Sequence, residues 1–200
     1  MLGRVAAATG LDDARILCAF RYGSRVYGTH RADSDHDFIV IAEGVDDGRE
    51  YREGDLNIHT YTPGHFAGQV QQHRISALEC LFLPPDMILR STLSFPLVLG
   101  RASLRSEISA KASHSFVKAR KKLEVENEVL AGRKSLFHAL RILDFGIQMA
   151  SHGRISDYGS SNELFAEIMD GPRDWPSLKQ IWQPRYNAKA SAFRLLTPKG

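Results

Sequence analysis

The feature that most restricts what this chain can fold into is a polar bridge between two short apolar runs. Residues 15–22 (RILCAFRY) are mostly apolar and close on Gly23, and residues 38–42 (FIVIA) are rich in β-branched side chains with polar stretches on either side. Both runs predict strands. Between them lie Gly23-Ser24-Arg25-Val26-Tyr27-Gly28-Thr29 and Ser34-Asp35-His36-Asp37. A glycine and a serine directly after a strand, opening a short helical turn, offer backbone N–H groups and a hydroxyl to an anion. Asp35 and Asp37 are one residue apart at the entrance of the next strand. They therefore project from one face, close enough to share divalent cations, while His36 points to the other. Two carboxylates so placed repel one another unless a cation lies between them.

Residues 49–61 contain a third predicted strand, on which Asp55, Asn57 and His59 alternate with Leu56, Ile58 and Thr60. That period of two puts Asp55 and His59 on one face. Asp35, Asp37 and Asp55 would then supply three carboxylates beside a phosphate cradle, the minimum for a two-metal phosphoryl transfer. A lone histidine on a half-buried strand is more often structural, so His59 is given no role. Pro63 ends the strand and suits the first turn of a helix over 64–73.

The second half changes character. Residues 104–130 and 134–151 carry helical periodicity, with a break expected at Gly132 and a stop at Gly153. Leu136, Leu140, Leu143, Ile147 and Ala150 form an apolar stripe on the second of these helices. A third helix over 162–169 has a start signal in Ser160 and Glu163. Trp175, Trp182 and Tyr186 suggest a tail that packs locally, with residues 189–200 expected to be loose. The fold class read from this pattern is α/β (α+β), a small mixed sheet flanked by helices and followed by a helical C-terminal half. The domains are placed at 1–85 and 86–200.

Composition narrows the class further. With 43% hydrophobic and 24% charged residues, the chain can bury a real core. No apolar run approaches the roughly 18 residues a membrane span needs, and the N-terminus has no long apolar core of a secretion signal. A cytoplasmic protein without a membrane partner is the expectation. Cys18 and Cys80 have neither zinc-ligand spacing nor the number for a disulfide framework, and both are read as core residues. Residues 1–100 carry 9 Lys+Arg against 13 Asp+Glu, and residues 101–200 carry 17 against 10. An acidic half beside a basic half suits cations held against polyphosphate. The modest overall charge of +3, with no long basic tract, argues against strong nonspecific nucleic-acid binding.

Gly-Ser, the step to Asp-x-Asp before an apolar strand, and a later Asp together resemble the DNA polymerase beta nucleotidyltransferase superfamily. Gly23-Ser24-Arg25-x-Tyr27-Gly28 before Ser34-Asp35-x-Asp37 is similar, more narrowly, to small stand-alone prokaryotic predicted nucleotidyltransferases. Asp55-Leu-Asn-Ile-His59, Leu78-Glu79-Cys80-Leu81-Phe82 with Pro84, and Lys134-x-x-x-His138-x-x-Arg141 extend that likeness over about residues 15–171. The stretch between His59 and Phe66 is longer than usual for the group, and nothing after Gly171 resembles it. The resemblance implies a nucleotidyltransferase core in 1–85 and a helical domain in 86–200 that completes the nucleotide and acceptor cleft. It implies that Gly23 and Ser24 bind the triphosphate of a nucleoside triphosphate such as ATP. It also implies that Asp35, Asp37 and Asp55 hold two Mg2+ or Mn2+ ions, with Asp55 helping to deprotonate the acceptor. Two roles fit Arg25, contact with the phosphates and pairing with Asp33. Tyr27 fits under the turn better than against a base. Lys134, His138 and Arg141 are expected to form a basic face that closes over the carboxylates and binds phosphate, with Lys118, Lys121 and Lys122 next in line. The acceptor is left open among an RNA, tRNA or DNA end, a protein side chain (including that of a toxin partner) and a small molecule. Two other classes stay in view. One is a nucleotide-binding regulatory module without multiple turnover, disfavoured here because three carboxylates are counted, and the other is a nucleic-acid-binding role for the basic half.

Overall fold

The two apolar runs form β1 (Ile16–Tyr22) and β2 (His36–Ala42), paired antiparallel. The computed structural model describes residues 1–198. The stretch 49–61, expected to contain one strand, holds two, a hairpin of β3 (Arg49–Glu53) and β4 (Leu56–Tyr61) joined through Gly54 and Asp55. Gly54 has φ +58, a left-handed value that tight two-residue hairpins favour and that glycine adopts without steric penalty. β4 runs parallel to β2, and β5 (Ile88–Ser91) pairs antiparallel with β1 on its other side, giving the order β3-β4-β2-β1-β5. This is the small mixed sheet that the sequence predicts.

Helix α1 (Leu2–Thr9) packs on one face of the sheet, where Val5 joins Phe38, Val40, Leu56 and Ile58. Helices α3 (Pro63–Gln71) and α4 (Ile75–Leu81) follow the hairpin, and Phe66 of α3 stacks on Phe20 with ring centroids 6.1 Å apart. Residues 38–42 are all buried, which explains why β2 reads as a continuous apolar run rather than an alternating one. The helix expected after His59 begins as read, with Thr62 accepting the His65 N–H and Pro63 in the first turn. Cys18 and Cys80 are buried free thiols, and burial pushes the Cys80 thiol well up.

The chain divides into units Met1–Val98 and Leu99–Gly200. The first therefore runs past the boundary expected at 85, because β5 belongs to its sheet. The second unit is helical: α5 (Arg101–Glu124), α6 (Val129–His152), α7 (Asn162–Asp170) and α8 (Trp175–Leu196). Gly132 does not break the chain but lies inside α6, where an added Cβ would come 2.5 Å from Leu123 Cγ of α5. It is a point of close helix approach. α7 starts at Asn162 as read, but Ser160 is not its cap. Ser161 holds the N-cap position and donates its hydroxyl to Asp144 of α6, which also accepts from Lys189.

The tail expected to be loose is α8 as far as Leu196, and the last two positions, 199–200, lie outside the described residues. Asp174 accepts the Ser177 N–H at its start, and Trp175, Leu178, Trp182, Ala190 and Phe193 are buried along it. Each large apolar side chain so buried contributes about 1.5–3 kcal/mol toward ordering the segment. Among the described residues no helix is long and apolar enough to cross a membrane.

Candidate active site

Gly23 ends β1 and begins a single helical turn, α2 (Ser24–Tyr27), with its carbonyl accepting from the Val26 and Tyr27 N–H groups. Its backbone, at φ 77 and ψ −156, is in a region open essentially to glycine alone. The reason is visible across the sheet. A Cβ on Gly23 would stand 2.2 Å from Asp37 Oδ2, so the turn and the carboxylate are packed directly together. The Ser24 hydroxyl, at the start of the same turn, has no hydrogen-bond partner among the described residues. Gly23, Ser24 and Asp37 thus come together as the spacing predicts.

Asp35 is exposed just before β2, and Asp37 is partly buried within it. Burial raises the Asp37 pKa above the ordinary carboxylate value, and the nearby Asp35 charge raises it further. A hydrogen bond from Asn57 and the charges of His59 and Arg52 oppose this. A half-desolvated carboxylate beside a second one stores unfavourable energy that a cation relieves.

Arg25 does not pair with Asp33. Its Nη2 donates to the Ser34 carbonyl at 2.7 Å and its Nε to the Asp35 carbonyl at 3.3 Å, while Asp33 pairs with Arg31. Arg25 is a positioning residue that ties the 29–35 loop to α2 and thereby sets where Asp35 stands. Arg25→Ala is expected to weaken divalent-cation binding by roughly tenfold, about 1.5 kcal/mol for the lost charged hydrogen bonds. Calorimetric titration with Mn2+ checks this, and unchanged affinity would remove Arg25 from the site.

Tyr27 packs beneath the turn, as expected, and donates its hydroxyl to Glu79 of α4; both are buried. The motif alone gave no role to Glu79, and only tertiary packing supplies one.

Asp55 is not brought to the pair. It occupies the hairpin turn, where its carboxylate is bound by Arg4 of α1 and lies 3.7 Å from His36 Nε2. The Arg4 hydrogen bond holds the Asp55 carboxyl below the usual range. His36 stacks on Phe38, so this cluster belongs to the α1 face, opposite Asp37. The alternation that put Asp55 on the face of His59 holds only from Leu56 onward, because the chain reverses at 54–55. The β4 residue in register with Asp37 is Asn57, whose Nδ2 donates to Asp37 Oδ1 at 2.9 Å. Sequence reading named Asn57 without a role; a Gly-Asp pair flanked by two strand-like runs was the signal for the turn that exposes it.

Among the described residues no group of three or more His, Cys, Asp and Glu side chains is placed to hold a metal ion. Asp35 and Asp37 fit one divalent cation whose other ligands are water and phosphate oxygens, the mode usual for magnesium. The three-carboxylate, two-ion set does not fit.

The expected basic stripe lies in the second unit and is not an exposed cationic face. Lys134 is exposed, His138 is half-buried and Arg141 is buried, with Nη2 donating to His138 Nδ1 at 2.8 Å and the guanidinium 5.2 Å from the Phe145 ring centroid. Burial, with the charges of Lys111 and Lys118 on α5, lowers the His138 pKa to about 4. The imidazole is neutral at pH 7 and accepts from Arg141. Of the lysines next in line, Lys121 and Lys122 are paired with Glu126, and Lys122 also with Glu128.

A histidine whose folded pKa is depressed contributes fully above its unfolded value of 6.5 and loses that contribution as pH falls toward 4. Acidification over this window should remove about 3 kcal/mol of stability through His138. His138→Gln keeps an acceptor for Arg141 but cannot titrate. Its melting temperature should fall less steeply than that of the wild type between pH 6.5 and 4, and parallel curves would refute the assignment.

No protein-family model matches the sequence, and no curated protein does. Among the solved structures to which the chain is similar is a nucleotidyltransferase-like protein from Exiguobacterium sibiricum 255-15. It is 13% identical, the match covers 98% of this chain and 72% of that one, and the TM-score is 0.29. What the site does is therefore read from this chain's own residues.

Proposed function

We propose that this chain is a metal-dependent nucleotidyltransferase, moving a nucleoside monophosphate from a nucleoside triphosphate to an acceptor hydroxyl and releasing pyrophosphate. The observation that carries the reading is the packing of Gly23 on Asp37, with Asp35 at the same strand entrance. A turn with a glycine-only backbone and a serine hydroxyl open to an anion stands against a carboxylate pair that is strained without a cation. That juxtaposition serves a ligand carrying both phosphate and metal. A bound Mg2+ or Mn2+ would supply Lewis-acid stabilisation of charge on the phosphate undergoing attack. The chain's own part is to fix geometry. The α2 turn takes the phosphates, Asp35 and Asp37 fix the cation, Arg25 fixes Asp35, and Tyr27 with Glu79 supports the turn from below.

Incubation with each of the four α-labelled nucleoside triphosphates and Mg2+ or Mn2+, against tRNA, short RNA, DNA and the protein itself, tests this. Label should move into one acceptor class and should not do so with Asp35→Asn. A second reading, a nucleotide-binding module without multiple turnover, gains from the engagement of Asp55 with Arg4, since the third carboxylate that argued against it is elsewhere. Tight binding of the labelled triphosphate with no transfer to any acceptor would favour it.

A further inference from the structure

Four strands place one residue each in a row across the sheet. Tyr22 of β1 is in register with Asp37 of β2, Asp37 with Asn57 of β4, and Asn57 with Arg52 of β3. Partners in register share a face, so the groups flanking Asp37 on the β4 side are a neutral amide and then a cation. A second divalent ion on that side would need a carboxylate to bridge it to the first, since paired ions stand about 3.5–4 Å apart. None is there. Asp55 precedes the row in the hairpin turn and is held by Arg4 on the other face.

Asn57 is not an indifferent neighbour. Its Nδ2 donates to Asp37 Oδ1 at 2.9 Å, using one acceptor position of that carboxylate, while its own Oδ1 is buried and accepts no hydrogen bond. An orphaned buried amide oxygen is unfavourable unless something is bound to it, and an amide oxygen is a hard, neutral ligand of the kind divalent cations accept.

We propose that this site takes a single divalent cation with its triphosphate, that Asn57 stands where a second cation would require a third carboxylate, and that Asp55 serves the α1 face instead. This rests on the nucleotide-and-metal reading given above. It sets the stoichiometry of the site and makes position 57 the one that controls it.

Mn2+ binding to the full chain, measured by electron paramagnetic resonance and calorimetry with α,β-methylene ATP present, tests the proposal without reference to turnover. The wild type should hold one Mn2+, and Asp55→Asn should match it in stoichiometry and within about twofold in affinity. Asn57→Asp should take up a second ion or bind Mn2+ at least tenfold more tightly. Its metal-free melting temperature should fall and recover on adding Mn2+, as a second carboxylate joins Asp37 in the row with Asp35 close by. Two ions in the wild type with one lost in Asp55→Asn would overturn the proposal, as would an Asn57→Asp variant that binds Mn2+ no differently from wild type. Should Asn57→Asp fail to fold, the Asp55→Asn comparison still decides, because that residue lies in an exposed turn. Asp35→Asn separates the two levels: if it binds Mn2+ like the wild type, or the wild type binds none, the underlying reading of the site fails and the proposal with it.

Discussion

Asp37→Asn is expected to abolish divalent-cation binding and nucleotidyl transfer while raising the melting temperature of the metal-free chain at neutral pH. The first effect follows from position, since Asp37 is the carboxylate against which Gly23 is packed and no other acidic side chain lies next to it in the sheet row. The second follows from the sign of its pKa shift. A carboxyl whose folded pKa lies above its unfolded value binds its proton more tightly in the folded state. Its ionised form therefore opposes folding once the pH exceeds that raised value, and the penalty is absent well below the unfolded value. The near-isosteric amide removes this penalty and leaves the backbone undisturbed. The gain in melting temperature should be present at pH 7, shrink on acidification and vanish near pH 3. Mn2+ titration and thermal melts of the same preparations measure both effects. A variant that retains more than a tenth of wild-type transfer, or that melts lower than wild type at pH 7, would show that Asp37 is a packing group and not a metal ligand.

Gly23→Ala is expected to impair both stability and the site, although it adds one methyl group. Alanine at φ 77 and ψ −156 is in a region costing about 1–3 kcal/mol for any residue with a Cβ. The new methyl would also overlap the Asp37 carboxylate, at 2.2 Å from Oδ2 and 3.0 Å from Cγ. Asp37 must swing away from the turn that it faces, so cation affinity should fall at least tenfold along with the melting temperature. Gly10→Ala is the control. Gly10 also has positive φ, 67, but its added Cβ meets nothing within 4 Å, so that variant isolates backbone strain of about 1 kcal/mol and leaves cation binding intact. Equal behaviour of the two variants would mean that the contact between Gly23 and Asp37 has no functional weight.

The sequence by itself determined the local elements whose physics is local. The strands on either side of the Gly23 turn follow from short apolar runs, and the glycine at their junction from a backbone that no other residue adopts. The helix after Thr62 follows from a capping side chain and a proline in its first turn. The placement of Asp37 against the Gly23 turn, with Asp35 at the same strand entrance, was legible for the same reason, since one strand, one turn and the next strand carry all of it.

What the tertiary structure decided depends on partners far away in sequence. A period of two places Asp55 on the face of Asn57 and His59 only if the strand does not turn between Glu53 and Leu56. The hairpin at Gly54 and Asp55 sends Asp55 to Arg4 and leaves Asn57 beside Asp37. The spacing of Lys134, His138 and Arg141 predicts a shared stripe but not its burial. Desolvation, set by what packs over α6, makes His138 neutral and turns it into an acceptor for Arg141. Helix α8 is the same lesson in apolar form. Its mean hydropathy is unremarkable, and it is ordered because Trp175, Leu178 and Trp182 find a core built by residues as far back as Phe116.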